Sequence, residues 1–507
     1  MNTTTWSPVK SERKAMAVPA AISYVGVFLV LGGVMLWLLS NGFVSEQILK
    51  MWSKVLTVVD APETRIEHIG LMYPHLPIYL LFLIHAFPGL NAAAAVPLLS
   101  VLGGATLLVL WSHHLRIKRW PFRTRTVLMI LMLVNPLFLW AVTGAGLGLS
   151  LLFFYWLCFS LVRLILLQDA RAVFLLSSVL AFYFFADSRV IFITFSILPL
   201  IPFVAPRRML AESPMSVFVV ILLPVFFSVI TWMYLGWIFQ KDPLAFIHDP
   251  LSSFLGAFFN QGDSRWLLKF GGTLFIPMVV GSLLTVVMAP VLPYLSLSVR
   301  HNRLFRRGLL AVAGIPALAL GFGTFFYFPA HPVDFLFLVP AAVMAMLFAI
   351  PRHRGVNRTV ILLLAVGDIV TGALLYFGQT HDIHAWGEAL AGEQTNRYLH
   401  EYDQLLGRWL DRHREPTLID DRVGYAAIVA RGDAKGLVVP YMTEYKNALK
   451  SRVPGISQVV VSSPVHPYSS VDSVRQRFAH AYKQGFPGYR LAYENPFWRV
   501  YRIETTK

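Results

Sequence analysis

The sequence predicts a polytopic α-helical membrane protein with about eleven transmembrane helices and a small α/β domain outside the membrane. Three observations support this fold class. Apolar residues make up 56% of the 507-residue chain and charged residues only 14%, whereas about a quarter of the residues of a soluble domain are charged. Apolar runs long enough to cross a bilayer fill the chain up to residue 377. Basic residues cluster at every second gap between those runs.

The lengths and composition of the apolar runs predict the spans. Their boundaries are 17–40, 91–113, 127–145, 147–167, 172–187, 190–206, 214–238, 270–298, 308–328, 333–350 and 359–377. The segment 71–88 is also apolar, but prolines interrupt it, and as a further span it would place the basic loop that begins at Arg116 outside. We therefore expect this segment to be a helix on the outer interface of the membrane, with a true span as the alternative.

The basic clusters set the predicted orientation, because loops rich in Lys and Arg stay on the cytoplasmic side during insertion. The tail 1–16 is then cytoplasmic, the bundle 17–377 carries an outer loop at 41–90, and the domain 378–507 is periplasmic or extracellular. The expected location is the inner (plasma) membrane. Since the net charge of +16 comes mostly from these loops, it does not indicate nucleic acid, and membrane lipids with anionic head groups are the expected secondary partner.

After residue 378 the composition becomes polar, with mixed patterns. Residues 391–414 are typical of an amphipathic helix, and short apolar runs predict strands at TLID (417–420), LVVP (437–440) and QVVVSS (458–463). The final segment, 490–504, predicts a hairpin around Asn-Pro. This domain shows no Gly-rich phosphate loop, nucleophile elbow or metal-ligand spacing, so we interpret it as a docking or acceptor-binding module.

The outer loop after the first span contains the candidate catalytic residues. Its carboxylates include Asp60, Glu63 and Glu67, with Arg65 between them, and the element YPHLP follows at 73–77. A carboxylate in a recess at the membrane surface can deprotonate a sugar hydroxyl or hold a divalent ion against a phosphate. The alternative is a solvated loop with ordinary acidic residues.

Other polar groups lie at the ends of predicted spans. Asp187 and Arg189 lie at the end of the fifth span. The guanidinium of Arg189 is well suited to binding a lipid phosphate. The alternative is that the two charged side chains form a pair that reaches out to water. His331 and Asp334 flank Pro332 in a short loop, where they could bind a leaving phosphate. One His and one Asp are a poor metal site.

One carboxylate, Asp368, is predicted near the middle of the last span, where a charge is costly. As a functional residue it would relay protons in a transporter. As a structural residue it would be protonated or paired inside the bundle, which is the interpretation we favour.

This layout resembles the GT-C superfamily of membrane glycosyltransferases, which use polyprenyl-phosphate-linked sugars. YPHLP at 73–77 is similar to the Pro-Pro-Leu element that often follows the acidic residue, and NPLF at 135–138 resembles the Ser-Pro-hydrophobic step in the third span. Asp187-Ser-Arg189 falls where such proteins often carry an Arg-containing turn, and WIFQKDPLAF at 237–246 is similar to a signature of uncharacterised members. The departure is that no acidic pair follows the first span directly.

The resemblance implies an inverting glycosyltransferase that moves a sugar from a polyprenyl-phosphate donor to a glycan, lipid or protein acceptor on the outer side. It implies Asp60 or Glu67 as the catalytic base, with Glu63 as a third candidate. The residues that it implies for binding substrate or phosphate are Arg65, His75, Asp187, Arg189, Asp242, His331 and Asp334. The one cofactor compatible with the resemblance is a divalent cation, Mg²⁺ or Mn²⁺. A protein partner in an envelope glycan assembly is also compatible with it.

Two other interpretations remain open at this point. The protein could be a non-catalytic transporter or assembly subunit for polysaccharide or glycolipid export, in which case Asp368 would matter more than the first-loop carboxylates. It could also be a degenerate GT-C fold that serves a partner enzyme, since the acidic pair is missing.

Overall fold

The structure is a computed structural model. It describes residues 10–60, 73–85, 92–167, 170–205, 207–244, 273–298, 303–325, 332–349, 354–377, 380–395, 398–450, 455–486 and 488–504.

Helices dominate the chain up to residue 412. They are α1 (Lys10–Ser40), α2 (Glu46–Val59), α3 (His75–His85), α4 (Ala92–Ile117), α5 (Phe122–Val134), α6 (Pro136–Leu139), α7 (Gly148–Leu167), α8 (Ala170–Ala186), α9 (Val190–Ile197), α10 (Ile201–Val204), α11 (Arg207–Glu212), α12 (Pro214–Gln240), α13 (Phe275–Met288), α14 (Val291–Ser298), α15 (Arg303–Phe325), α16 (Val333–Leu336), α17 (Val339–Leu347), α18 (Arg354–Phe377), α19 (His381–Leu390) and α20 (Tyr398–Arg412). A π-helical turn (Trp140–Gly144) follows α6, and a 3₁₀ turn (Leu198–Leu200) joins α9 to α10.

Within the described ranges, six helices are long and apolar enough to cross a membrane. They are Ile22–Ser40, Ala94–Ile117, Gly148–Leu166, Pro214–Phe239, Arg306–Phe325 and Arg358–Phe377. Two bent pairs raise the number to eight if each pair is one span. The predicted count of eleven is not confirmed, because the segments predicted at 172–187, 190–206 and 333–350 form shorter apolar helices. The protein is a multi-pass membrane protein.

The bends in the two pairs follow from proline. Pro136 lacks the backbone N–H that would continue the helix, and α5 meets the segment 136–144 at 60°. At this break the side chain of Asn135 accepts a hydrogen bond from the backbone N–H of Phe138 at 3.0 Å, which starts the new helix. The second bend, of 87°, lies between α13 and α14 at Pro290.

The exposed and buried apolar residues divide as expected for a bundle in lipid. Large apolar side chains such as Ile22, Leu29 and Phe227 are more than 60% exposed on single spans, where lipid tails would cover them. The interior packs closely: a Cβ on Gly148 would lie 1.9 Å from the carbonyl oxygen of Ser100. Glycine is therefore required where α7 begins against α4.

The C-terminal part forms a small sheet with helices. Its strands are β1 (Thr417–Leu418), β2 (Leu437–Val438), β3 (Gln458–Ser462), β4 (Tyr489–Glu494) and β5 (Trp498–Ile503), in the order β2-β1-β3-β5-β4. The helices among them are α21 (Asp421–Arg431), α22 (Thr443–Lys450), α23 (Ser473–Arg477) and α24 (Ala481–Gln484). Strands β2, β1 and β3 are parallel, whereas β5 is antiparallel to both β3 and β4. All three predicted strands and the predicted hairpin are present.

Candidate active site

The helix after the first span places three charged residues on one buried face. Glu46, Lys50 and Lys54 follow each other at intervals of four residues on α2, so they line up along the helix. They are only 6%, 4% and 7% exposed. Ser45 caps the helix by accepting a hydrogen bond from the backbone N–H of Ile48. Sequence reasoning missed this row, although its four-residue spacing was the signal that could have revealed it.

The first two members of the row lie against the C-terminal domain. The Nζ of Lys50 is 2.7 Å from Oε1 of Glu46, and the hydroxyl of Tyr425 on α21 donates to the same oxygen at 3.0 Å. The Lys50 ammonium is also 5.3 Å and 5.5 Å from the ring centroids of Tyr425 and Tyr468, which is within cation–π range. Burial and the neighbouring Glu46 carboxylate raise the pKa of Tyr425 well above its ordinary value. The neutral hydroxyl therefore remains a hydrogen-bond donor.

Lys54, the third member, faces the bundle. Its Nζ donates to the carbonyl oxygen of Tyr73 at 3.2 Å. Tyr73 is fully buried and interacts electrostatically with the carboxylate of Asp187. Tyr73 thus contacts Lys54 through its backbone carbonyl and lies near Asp187, which is paired with Arg189.

Asp187 and Arg189 form a buried ion pair in the turn between α8 and α9. The Nη1 of Arg189 is 3.1 Å from Oδ2 of Asp187, and the backbone N–H of Arg189 donates to Oδ1 at 2.9 Å. The guanidinium lies 5.2 Å from the ring centroid of Phe337, and Asp334 attracts it as a second carboxylate. The two residues are 1% and 5% exposed. The alternative of a pair that reaches out to water is therefore wrong, because neighbouring helices enclose it.

His75 begins α3 and lies in an aromatic enclosure. It is 2% exposed, and its ring centroid is 3.5 Å from that of Trp232 and 5.4 Å from that of Tyr73. Among the described residues neither ring nitrogen has a hydrogen-bond partner. Burial, with a smaller contribution from Lys54, lowers the pKa of His75 to about 3. The imidazole is therefore neutral near pH 7.

A small cavity lies beside these groups. Gln47 and Met51 on α2, Pro74 and Pro77 around the start of α3, and Asp187 are among its lining residues. Its volume is about 20 Å³, which is room for roughly one water molecule. Among the described residues, Nε2 of Gln47 is buried without a hydrogen-bond partner. A sugar phosphate could enter only if α2 and α3 moved away from the bundle.

Asp60, one of the two candidate bases, lies at the far end of α2. It caps the helix, and its Oδ2 accepts a hydrogen bond from the backbone N–H of Ala434 at 2.9 Å. Asp60 follows Lys54 by six residues, about 9 Å along a helix axis. The structure therefore places Asp60 at the contact between α2 and the C-terminal domain, away from the Asp187–Arg189 pair along the helix.

The remaining candidates divide into two groups. Asp242 follows α12, and its Oδ1 accepts a hydrogen bond from the backbone N–H of Leu244 at 2.9 Å, as in a local turn. Arg65, Glu67, Glu63 and His331 lie outside the described residues. Of the predicted binding residues, the structure brings together His75, Asp187, Arg189 and Asp334, and it adds Lys54.

The described residues contain no group of three or more His, Cys, Asp or Glu side chains placed to hold a metal ion. Beside the candidate site, the carboxylates of Asp187 and Asp334 both act on the Arg189 cation. Two carboxylates that already balance a buried cation are a poor donor set for a divalent metal ion.

The carboxylate in the last span is paired. The Nδ2 of Asn135 donates to Oδ1 of Asp368 at 2.6 Å, which ties α18 to the break between α5 and α6. Oδ2 is buried without a partner among the described residues. A hydrogen-bonded position inside the bundle agrees with the structural interpretation of this residue.

Comparison with solved structures identifies the architecture. The chain is similar to ArnT from Cupriavidus metallidurans bound to undecaprenyl phosphate, with a TM-score of 0.55 and 14% identity over 97% of this chain and 99% of that one. The same protein in the apo state gives a TM-score of 0.53 and 13% identity over 95% and 98%. The chain has a GT-C-like fold. At this level of identity, the likeness shows the fold alone. No protein-family model matches the sequence, and no curated protein does.

The structural alignment with ArnT is not confined to the membrane-spanning helices of this chain. Since 97% of this chain is covered, the sheet that follows the bundle is part of the shared architecture. The predicted resemblance is thus confirmed as a fold.

Proposed function

We propose that the protein is a glycosyltransferase that transfers a sugar from a polyprenyl-phosphate donor, with inversion, to a glycan, lipid or protein acceptor on the outer side of the inner membrane. The observation that carries this proposal is the whole-length likeness to ArnT, a protein solved with undecaprenyl phosphate bound. A protein partner in an envelope glycan assembly is compatible with the same proposal.

The buried cations support a phosphate as part of the substrate. Lys54 donates to the carbonyl oxygen of Tyr73, and Arg189 is paired with Asp187, which interacts electrostatically with Tyr73. Each cation is more than nine-tenths buried. In a water-poor site such charges stabilise a leaving phosphate far more than they would in water. Neutral His75 offers a ring nitrogen that can donate a hydrogen bond without adding charge.

The reaction requires a base for the acceptor. A carboxylate, Asp60 or Glu67, takes the proton of the acceptor hydroxyl while its oxygen forms a bond to the anomeric carbon. The bond from that carbon to the phosphate oxygen breaks at the same time, and the electron pair leaves with the polyprenyl phosphate. Oδ2 of Asp60 accepts a hydrogen bond from the backbone N–H of Ala434, and the carboxylate keeps further lone pairs that can take a proton. A divalent cation, Mg²⁺ or Mn²⁺, is the one cofactor expected, and the transfer rate with and without EDTA tests whether it takes part.

The decisive experiment is sugar transfer by the purified full-length protein in nanodiscs. Radiolabelled polyprenyl-phosphate sugars serve as donors and membrane extracts as acceptors. Asp60→Asn and Glu67→Gln test the two candidate bases, and Arg189→Gln tests the phosphate site. Glu401→Gln, at an exposed position on α20, is the matched control. Loss of transfer in one carboxylate variant, with the control active, identifies the base.

A second candidate function is that of a transporter or assembly subunit. A third is a degenerate GT-C fold that serves a partner enzyme, which the missing acidic pair would explain. The pairing of Asp368 with Asn135 argues against a mobile proton relay. Asp368→Asn is expected to retain transfer activity. Absence of transfer from every donor, together with complementation of a deletion strain by both base variants, would refute the catalytic proposal.

A further inference from the structure

A second and larger cavity lies at the opposite end of the bundle, where α1, α4 and α5 meet. Its volume is about 600 Å³. Ser23 and Gly26 on α1 line it, as do Ser112 on α4 and Met129 on α5. The cavity borders the basic loop between α4 and α5, which the positive-inside rule places on the cytoplasmic side.

One end of this cavity is positively charged. Arg116, Arg125 and His113 line it, and no carboxylate is among its lining residues. Arg116 and Arg125 are close enough to repel each other electrostatically. Within the described part of the chain, Nε of Arg125 is buried without a hydrogen-bond partner. Two like charges held beside each other favour an anion between them.

The other end of the cavity is apolar and open to the lipid. Val27, Leu108 and Leu133 line its walls, and Ile130, another lining residue, is 53% exposed. A Cβ added at Gly26 would meet no atom within 4 Å, so the glycine leaves this space open. The cavity thus combines a charged end at the membrane surface with an apolar channel toward the membrane interior.

We propose that this cavity binds one anionic phospholipid of the cytoplasmic leaflet, with its phosphate between Arg116 and Arg125 and an acyl chain along α1, α4 and α5. Guanidinium groups match phosphate oxygens in charge and geometry, and basic pockets between membrane helices suit anionic head groups. The N-terminal tail of the chain is a poorer occupant, because Lys10, Arg13 and Lys14 outnumber its single carboxylate.

The test is lipid binding to the purified full-length protein by native mass spectrometry. The probes are phosphatidylglycerol and phosphatidylcholine with identical acyl chains. The wild type is expected to bind phosphatidylglycerol at least about 10-fold more tightly, and Arg116→Gln combined with Arg125→Gln is expected to lose on the order of 10- to 30-fold of that affinity. Gly26→Phe, which fills the apolar channel without changing charge, is expected to lower the affinity for phosphatidylglycerol by about 10-fold.

Matched controls separate this site from general attraction to a basic loop. Arg119→Gln combined with Arg123→Gln removes two charges from the same basic segment, 116–125, at positions that do not line the cavity. Gly33→Phe adds the same ring at another open position on α1. Both are expected to bind as the wild type does. Equal losses in the two double variants, unchanged binding in Gly26→Phe, or displacement of the lipid by millimolar inorganic phosphate would each overturn the proposal. If the Arg116/Arg125 variant fails to fold, the comparison of Gly26→Phe with Gly33→Phe decides.

Discussion

The Asp187–Arg189 pair shows how burial changes the importance of single residues. Both side chains are almost fully enclosed, and two hydrogen bonds hold the Asp187 carboxylate to Arg189. Taking such charges out of water is costly, and removal of one partner leaves the other uncompensated. A buried pair in the turn between two helices is therefore expected to be intolerant of single substitutions.

Arg189→Gln is expected to destabilise the protein by about 3–5 kcal/mol, because it leaves Asp187 buried without its cation. Arg189→Gln combined with Asp187→Asn is expected to recover much of that loss, since neither member of the buried pair remains charged. Thermal unfolding of the wild type, the Arg189→Gln and Asp187→Asn single variants and the double variant in one detergent measures the coupling free energy between the two side chains. Arg189→Lys, which keeps the charge, is the control. Strictly additive effects of the two single substitutions would contradict the prediction.

His75 gives the protein a predicted sensitivity to acid. Burial and Lys54 lower its pKa from 6.5 to about 3, so between these values the unfolded chain binds a proton that the folded chain excludes. Stability therefore falls as the pH is lowered from 6.5 toward 3, by about 2 kcal/mol at pH 5. His75→Gln is expected to show a smaller drop in melting temperature between about pH 7.5 and pH 5 than the wild type. His480→Gln, at an exposed position, is expected to show the same drop in melting temperature as the wild type. Equal drops in all three proteins would refute the assignment of the acid sensitivity to His75.

At the scale of elements, α2 connects the bundle to the C-terminal domain. Tyr425 reaches Glu46 near its first turn, and the hydroxyl of Tyr441 donates to the carbonyl oxygen of Thr57 at 3.1 Å near its last turn. Lys54, between them, faces Tyr73. If α2 moves to open the small cavity, it must therefore break its contacts with the C-terminal domain or move together with that domain.

Loosening this contact is expected to increase the motion of α2. Tyr425→Phe combined with Tyr441→Phe removes two hydrogen-bond donors, at a cost of about 1 kcal/mol each. Backbone amides of 46–59 are then expected to exchange with solvent deuterium at least about five-fold faster. Tyr234→Phe, at a 56% exposed position on α12, is the matched control. Unchanged exchange in α2 would show that the outer domain does not restrain this helix.

Some features of these helices and strands could be predicted from the sequence, and others could not. Apolar pattern is a local signal, so the strands of the C-terminal domain could be predicted. The break at Asn135-Pro136 was not predicted, because 127–145 was expected to be one continuous span, although Pro136 was a local signal for it. The Glu46–Lys50–Lys54 row was within reach through its spacing. The contact of His75 with Trp232 was not, because 157 residues separate them and no pattern in either segment specifies the partner. Burial of the Asp187–Arg189 pair likewise depends on helices that pack around it.

For the whole molecule, the number of spans decides which side each site faces. In the part of the chain that the structure describes, six single helices and two bent pairs can cross the membrane. The shorter helices α3 and α8 and the segments α9–α10 and α16–α17 determine whether the total is odd or even. The charge pattern requires an odd total, with Arg116 and Arg125 inside and the outer domain opposite them. The active site and the lipid cavity would then lie on opposite faces of the membrane.

This topology can be tested with cysteine labelling, since the single native cysteine, Cys158, is fully buried and gives little background. Cysteine is introduced at Glu401 in the outer domain and, in a separate protein, at Arg123 in the basic loop; both positions are exposed. A membrane-impermeant maleimide is expected to label the Glu401→Cys protein in intact cells and the Arg123→Cys protein only after permeabilisation. Labelling of both in intact cells would require an even number of spans between the two positions. The reversed pattern would place the cavity lined by Arg116 and Arg125 on the outer face and remove the cytoplasmic leaflet as the source of its lipid.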